Sequence, residues 1–296
     1  MTSAAFTFDA IGTQWKIETD GAIPDLLRSR ILDRIRCFDV TYSRFHPESL
    51  VSRIAAAREG GGFEFPGDST RLFDLYDRLH TATGGAVDPL VGRDLEVLGY
   101  DASYSLTPAP EPVRAAERAR GRAAWATDVV REGTTLVTRR PLVIDVGAAG
   151  KGYLVDIVSL LLHDAGFTRH VVDAGGDLRH AGQQPTRVGL QDPFNPRRVI
   201  GVADLREGAL CASGIGRRAW GDGLHHVLDG RTGLPTRRVV ATWVLADEAA
   251  VADGLATALF FTDPGRLARD FRFAYARMYA DGRAETSQNF DGELFP

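Results

Sequence analysis

Between residues 6 and 19 the chain reads as a β-strand interrupted at Gly12. The pattern then changes to helical spacing, with Leu26, Leu27, Ile31, Ile35 and Phe38 recurring over residues 24–38. A polar loop, Tyr42-Ser43-Arg44-Phe45-His46-Pro47, follows. Ser69 is placed to cap a helix running to about Thr83, with Leu72, Leu75, Tyr76 and Leu79 on one face and Gly84-Gly85 as the stop. A turn-rich stretch from Asp101 to Pro112 leads into an arginine- and alanine-rich helix over 111–121.

Strands dominate from there, at 125–130, 134–138 and 141–145. Glycine-rich Gly147–Gly152 opens a helix that runs through Ala165 and ends at Gly166. A strand at 168–173, a Gly175-Gly176 turn, and strands near 186–191, 199–204 and 239–246 come next. A helix over 248–261, a shorter one near 264–271 and a last strand at 273–280 complete the pattern. Strands mostly follow strands and helices enter singly. That order predicts an α+β fold with largely antiparallel sheets, not a doubly wound parallel sheet. No repeat of fixed period and no long linker divides the 296 residues, which are expected to form a single domain whose N-terminal part (about 1–122) and C-terminal part (about 123–296) share an interface.

Composition removes several alternatives. A formal charge of −4 supplies no polycationic surface for nucleic acid. Cys37 and Cys211 are too few for a disulfide framework and lack metal-site spacing, so they are expected to be a pair of reduced, buried thiols in a reducing compartment. The first eight residues have no signal-peptide pattern or lipobox-like cysteine, and the apolar runs at 160–162 and 256–261 are too short to span a bilayer. A cytoplasmic protein with no membrane insertion is the expectation. Lysine occurs only at positions 16 and 151, which draws attention to Lys151 among its glycines.

Four stretches carry candidate chemistry. Asp145-Val-Gly-Ala-Ala-Gly-Lys-Gly-Tyr153 lies between an apolar strand and a helix start. Its glycines permit close backbone approach, the helix terminus offers free N–H groups, and Lys151 adds a charge suited to phosphate. It is not a Walker loop, because Gly152 and Tyr153 follow the lysine. A tight strand–helix turn with a solvated lysine accounts for the same residues. Asp173-Ala-Gly-Gly-Asp177 sets two carboxylates around a glycine turn, as in a hydroxyl- or metal-binding loop or, equally, a hairpin with capping aspartates. Ser213-Gly214, Arg217, Arg218, His225, His226, Asp229, Arg231 and Thr232 gather phosphate-binding groups and a possible base, though either histidine can be merely structural. Asp253 and Thr257 share a helix face at i, i+4 spacing, as hard oxygen donors suited to magnesium or as a solvated aspartate and a threonine bonding back to its own helix.

In this order the four stretches resemble the FAD:protein FMN transferase family, also called ApbE. Members carry D-[LV]-G-G-x-A-K-G-Y-x-x-D, seen here from Asp145 to Asp156, and V-N-A-G-G-D-[IL]-R, here Val172 to Arg179. S-G near an arginine, H-I-I-D-P-R-T-G and A-D-[AG]-L-A-T-A-L-F match Ser213-Gly214, His226–Gly233 and Ala252–Phe260. Gly12-Thr13, the segment 42–52, Gly85–Pro89 and Leu98–Tyr100 agree as well, so the resemblance covers about residues 10–262. Gly150, Asp173 and Gly230 are among the positions that depart from the pattern. Gly150 stands where alanine is usual and should leave the backbone looser. Asp173 replaces asparagine and adds negative charge. Gly230 replaces proline and should loosen the loop after His226.

The resemblance implies an α+β fold with FAD in a cleft between two interlocked halves, and transfer of FMN from FAD to a threonine or serine hydroxyl of a target flavoprotein, with release of AMP. It implies a magnesium ion held by the Gly150 carbonyl, Asp253 and Thr257. FAD contacts are expected from Gly12, Thr13, Asp88, Lys151, Asp173, Gly175, Gly176, Asp177, Ser213, Gly214, Arg217, Arg231 and Thr232. His226 or Asp229 would position or deprotonate the hydroxyl. Two alternatives remain at this level: a magnesium-dependent FAD pyrophosphatase yielding FMN and AMP, and a flavin-binding protein without turnover.

Overall fold

A computed structural model describes residues 4–295, with the side chain of Arg217 outside the described set. The protein is α+β with mostly antiparallel sheets. It divides into two compact units made of alternating segments: Met1–Cys37, Ala149–Gly216 and Arg237–Pro296 in the first, Phe38–Ala148 and Arg217–Thr236 in the second. No helix among the described residues is long and apolar enough to cross a membrane.

The first unit is built on an eight-stranded sheet. Its strands are Ala4–Ala10, Thr13–Thr19, His170–Asp173, Asp177–Ala181, Gly208–Gly214, Val239–Ala246, Ala274–Tyr279 and Ala284–Thr286. They lie side by side in chain order, each antiparallel to the next. The break read at Gly12 is a two-residue hairpin turn in which Ile11 and Gly12 both take positive φ, the geometry that matches the twist of the flanking strands.

Successive strand residues face opposite ways, and both faces are covered. Cys211 and Thr242 meet the helix Ala249–Ala258, through hydrogen bonds to the carbonyls of Ala249 and Ala256. Their neighbours Leu210 and Trp243 pack on the other side with Leu190, Ala203 and Leu205 of a three-stranded sheet, Thr186–Gln191, Val199–Leu205 and Gly292–Leu294. Burial on both faces is why Val239–Ala246 reads as an apolar run without alternation.

The second unit holds the helices Leu50–Ala56 and Ser69–Thr83, a small sheet of Gly61–Glu64, Thr135–Thr138 and Val129–Glu132, and a core of Leu95, Tyr100, Trp220 and Leu228. That core joins residues 91–100 to the late segment 217–236.

Several predicted elements differ in detail. Asp68, not Ser69, occupies the N-cap, and the Ser69 hydroxyl instead bonds the Tyr42 hydroxyl at 2.5 Å. Residues 125–128 make one helical turn because Asp128 accepts the Ala124 N–H at 3.0 Å, and the strand begins only at Val129. Residues 141–145 form no ladder; the Asp145 N–H donates to the Pro89 carbonyl at 2.7 Å. Two strands of the large sheet, Asp177–Ala181 and Gly208–Gly214, escaped the pattern because small and polar residues fill them and only pairing with neighbours makes them strands.

Candidate active site

In the first unit, chemistry collects where the helices Gly150–Asp164 and Ala249–Ala258 meet. Ala149, the N-cap residue of the former, has no side chain to cap with, so its first N–H groups need other partners. Asp253 supplies one, accepting the Gly152 N–H at 3.0 Å. The approach requires glycine: a Cβ on Gly152 would run into the Ala249 carbonyl and lie 2.8 Å from the Asp253 Cβ. Asp156, on the same helix as Gly152, accepts the N–H groups of Ala249 at 2.9 Å and Ala250 at 2.8 Å.

Lys151 forms an ion pair with Asp177, whose side chain is almost wholly buried and whose Oδ1 has no hydrogen-bond partner. Burial works to lower the Lys151 pKa, but Asp177 and Asp253 more than offset it and hold the ammonium charged. Burial, reinforced by the same two carboxylates, pushes the Cys211 thiol well up, so it is an inert neutral group. The Asp173–Asp177 stretch has hairpin geometry: Asp173 accepts the Gly176 N–H at 3.1 Å, and Gly175, at positive φ, packs directly on the Thr13 hydroxyl. Ser213 and Gly214 end the strand beside Thr242 and Ala241, and Gly12 and Thr13 sit at the first hairpin.

The Gly150 carbonyl, the buried Asp253 carboxylate and the Thr257 hydroxyl one turn further are all hard oxygen donors, a set whose chemistry fits magnesium. Among the described residues no group of three or more His, Cys, Asp and Glu gathers as a cation site, so an ion there would draw its other ligands from water or substrate phosphate.

In the second unit the two adjacent histidines are differently used. His225 is buried, its Nε2 donates to the Thr236 carbonyl at 2.8 Å, and its Nδ1 accepts the Val227 N–H at 3.2 Å. His226 bonds the backbone of Arg218, but its buried Nδ1 has no partner. Burial, aided by the Arg218 charge, pushes His226 down to about 4, so the imidazole is neutral at pH 7. The Tyr100 ring lies beside it, 6.5 Å between centroids, and the Arg44 and Arg218 guanidiniums lie 5.0 and 5.9 Å from the Tyr100 centroid. Arg44 also bonds Asp145 at 2.6 Å and the Tyr100 carbonyl at 2.8 Å.

Asp229 is engaged by Arg231, through the backbone N–H at 2.9 Å and the guanidinium at 2.5 Å, and Thr232 accepts the Leu234 N–H at 3.3 Å. Asp88 caps the turn Pro89–Val91 through the Leu90 N–H at 2.8 Å, accepts the Trp125 N–H at 3.0 Å and faces His80 at 3.4 Å. The loop after His226 is not loosened by Gly230. Its N–H donates to the Ala86 carbonyl at 2.8 Å, Arg122 bonds its carbonyl at 2.9 Å, and a Cβ would lie 2.5 Å from the Gly85 carbonyl oxygen.

The structure thus brings Gly150, Lys151, Asp177 and Asp253 together in one unit and His226, Asp229 and Arg231 in the other. Sequence reasoning gave no role to Arg44, Arg122 or Asp156. Arg44 and Asp145 are 101 residues apart, and no local signal connects them.

The fold and the order of these motifs define a family. Over residues 11–272 the chain matches the ApbE family, and it belongs to that family. It is 33% identical over 271 residues to the FAD:protein FMN transferase of Rhodobacter capsulatus, covering 86% of this chain and 50% of that protein. To the FAD:protein FMN transferase of Klebsiella pneumoniae it is 25% identical over 280 residues, covering 89% of this chain and 79% of the relative. The chain therefore spans half the length of the Rhodobacter relative. Among solved structures, the ApbE protein of Thermotoga maritima matches with a TM-score of 0.83 and 26% identity over 97% of each chain. The flavin transferase ApbE from Vibrio cholerae shares the fold, with a TM-score of 0.82 at 23% identity over 97% of each chain.

Proposed function

We propose that this protein transfers FMN from FAD to a threonine or serine hydroxyl of a target flavoprotein and releases AMP. Family membership supports the reaction class, since relatives across most of this chain carry the name FAD:protein FMN transferase. The observation that carries the chemistry is the neutral His226, whose buried Nδ1 lacks a partner while His225 beside it uses both ring nitrogens. An unprotonated imidazole nitrogen is the group a hydroxyl nucleophile needs. Asp229 is the weaker candidate for that role, because Arg231 already occupies its carboxylate.

In the proposed step the acceptor oxygen bonds the FMN-side phosphorus, the P–O bond to AMP breaks, and the hydroxyl proton passes to His226 Nδ1. Since Nδ1 is shut off from solvent, the residues over it must part when the substrates bind. Lys151, with the helix N-terminus at Gly150, would hold the diphosphate and exchange part of its pairing with Asp177 for phosphate oxygen. Gly150, Asp253 and Thr257 would hold a magnesium ion that neutralises charge on the diphosphate. The remaining expected FAD contacts, Gly12, Thr13, Asp88, Asp173, Gly175, Gly176, Ser213, Gly214, Arg217, Arg231 and Thr232, are part of the same proposal. Cys211 is buried as expected whereas Cys37 lies on the surface, and a reducing, cytoplasmic setting for both thiols is part of the same proposal.

Incubation with FAD, magnesium and an acceptor domain, followed by intact mass, tests the proposal. Gain of one FMN mass less one water on the acceptor is the expected result. FMN and AMP appearing in solution with the acceptor unmodified would replace transfer with hydrolysis. Bound FAD without turnover would leave a flavin-binding protein.

A further inference from the structure

The helices Gly150–Asp164 and Ala249–Ala258 cap each other. Asp253 of the second helix accepts the Gly152 N–H in the first turn of the first helix at 3.0 Å. Asp156 of the first helix accepts the Ala249 and Ala250 N–H groups in the first turn of the second, at 2.9 and 2.8 Å, one on each carboxylate oxygen. Neither helix has a side-chain cap of its own: Ala149 cannot supply one, and Glu248, though extended in backbone, makes no capping bond. Gly152 fills the point of closest approach, where any Cβ would collide with the Ala249 carbonyl. Two carboxylates and one glycine thus fix the sliding register of the helix pair.

That register matters because the proposed magnesium donors are split across it, with the Gly150 carbonyl on one helix and Asp253 and Thr257 on the other. Oxygen–magnesium distances must hold near 2.1 Å in octahedral geometry, so a small slide of one helix along the other spoils the set. Asp253 is committed to this geometry by its bond to Gly152. Asp156 fixes the far end of the contact. Its side chain is 23% exposed, with Arg179 as the nearest cation at 3.9 Å, and the Ala249 and Ala250 amides are its main partners.

We propose that Asp156 is a positioning residue for the metal site: it touches neither metal nor FAD, and sets the register that lets Gly150, Asp253 and Thr257 act as one donor set. The inference rests on the magnesium reading given above, and its test separates the two. Mn²⁺ serves as the probe, titrated into protein with FAD present while the electron paramagnetic resonance signal of the free ion is followed. Wild type, Asp253→Ala, Asp156→Ala and Asp156→Asn are compared, with unfolding midpoints recorded for each.

Asp253→Ala is expected to abolish tight Mn²⁺ binding. Asp156→Ala should weaken it by roughly 10–100-fold, the range typical of outer-sphere partners of metal ligands, and Asp156→Asn, which keeps one acceptor, should fall between. Turnover of the Asp156 variants should recover toward the wild-type rate at saturating Mg²⁺, because no donor has been removed. If Asp156→Ala does not fold, the asparagine variant carries the comparison. Asp156 variants with lowered midpoints and unchanged Mn²⁺ affinity, while Asp253→Ala loses binding, would overturn the positioning role and leave the metal reading standing. Wild-type Mn²⁺ affinity in Asp253→Ala would overturn the metal reading itself, and this inference with it.

Discussion

The helix pair of the first unit and the 217–236 segment of the second treat buried polar groups differently. Across the helix pair most charge and amide groups are matched, Lys151 with Asp177, Gly152 with Asp253, Asp156 with Ala249 and Ala250, and the buried Asp177 Oδ1 is the exception. In the 217–236 segment, His225 has both ring nitrogens engaged, yet its neighbour His226 keeps a buried nitrogen with none. An unmatched buried polar atom costs about 1–3 kcal/mol, and such a cost is retained most readily where chemistry uses it. The difference separates a region whose carboxylates mostly find amide or ammonium partners from one that leaves an imidazole nitrogen without a hydrogen bond.

The largest expected effect lies on the matched side. Asp253→Ala removes the only carboxylate of the proposed donor set together with the Gly152 bond, and should lower magnesium-dependent transfer by roughly 10⁴-fold or more, since a metal supplies several kcal/mol of charge stabilisation. Mass analysis of the acceptor over time measures it. Retained activity with unchanged magnesium dependence would dissolve the contrast between the two regions.

On the unmatched side, His226→Asn should slow transfer by about 10²–10⁴-fold, the usual worth of general-base help, with FAD affinity by calorimetry little changed. His225→Asn provides the internal contrast. Because the His225 ring is built into the segment, its loss should appear as about 1–3 kcal/mol of stability in urea unfolding, with transfer by the folded fraction near normal. Equal kinetic losses in the two variants would assign both histidines to structure.

Acidity offers a subtler separation. The His226 pKa is depressed to about 4, against ~6.5 when unfolded. Its contribution to stability is therefore whole above about 6.5 and lost as pH falls through about 4, up to about 3 kcal/mol. Asp156 has the opposite sign. Burial raises it to about 6 against the opposing pull of the Ala250 and Ala249 amides, so its contribution is present below the unfolded value of ~3.9 and is lost as pH rises through about 6. Urea midpoints between pH 4 and 7 should lose their acid-side decline in His226→Asn and lose an opposing rise in Asp156→Asn. Parallel profiles in the two variants would contradict the assignment.

The smallest effect concerns the turn behind His226. Gly230→Ala places a methyl 2.5 Å from the Gly85 carbonyl oxygen and should cost about 1–3 kcal/mol by overpacking, read as a fall in melting temperature. A neutral result would restore the looser loop expected from the sequence.

Much of this was legible in the chain itself. The succession of strand upon strand, with helices entering singly, specified an α+β antiparallel protein because period and order are local properties. The motifs at 145–156, 172–179, 226–233 and 252–260 pointed to the family because their glycines, carboxylates and lysine stand at fixed short spacings. Those same spacings could not say which of two adjacent histidines is satisfied, since that depends on Thr236 and Arg218 folding back onto the segment. Nor could they show that Asp156 reaches Ala249 across 93 residues, or Arg44 reaches Asp145 across 101. Gly230 read locally as a loosened proline position, whereas Ala86, Gly85 and Arg122 close around it. Local pattern determines which elements form. Only tertiary packing decides which polar atoms are desolvated and which of those find partners, because burial and pairing are set by residues far apart in sequence.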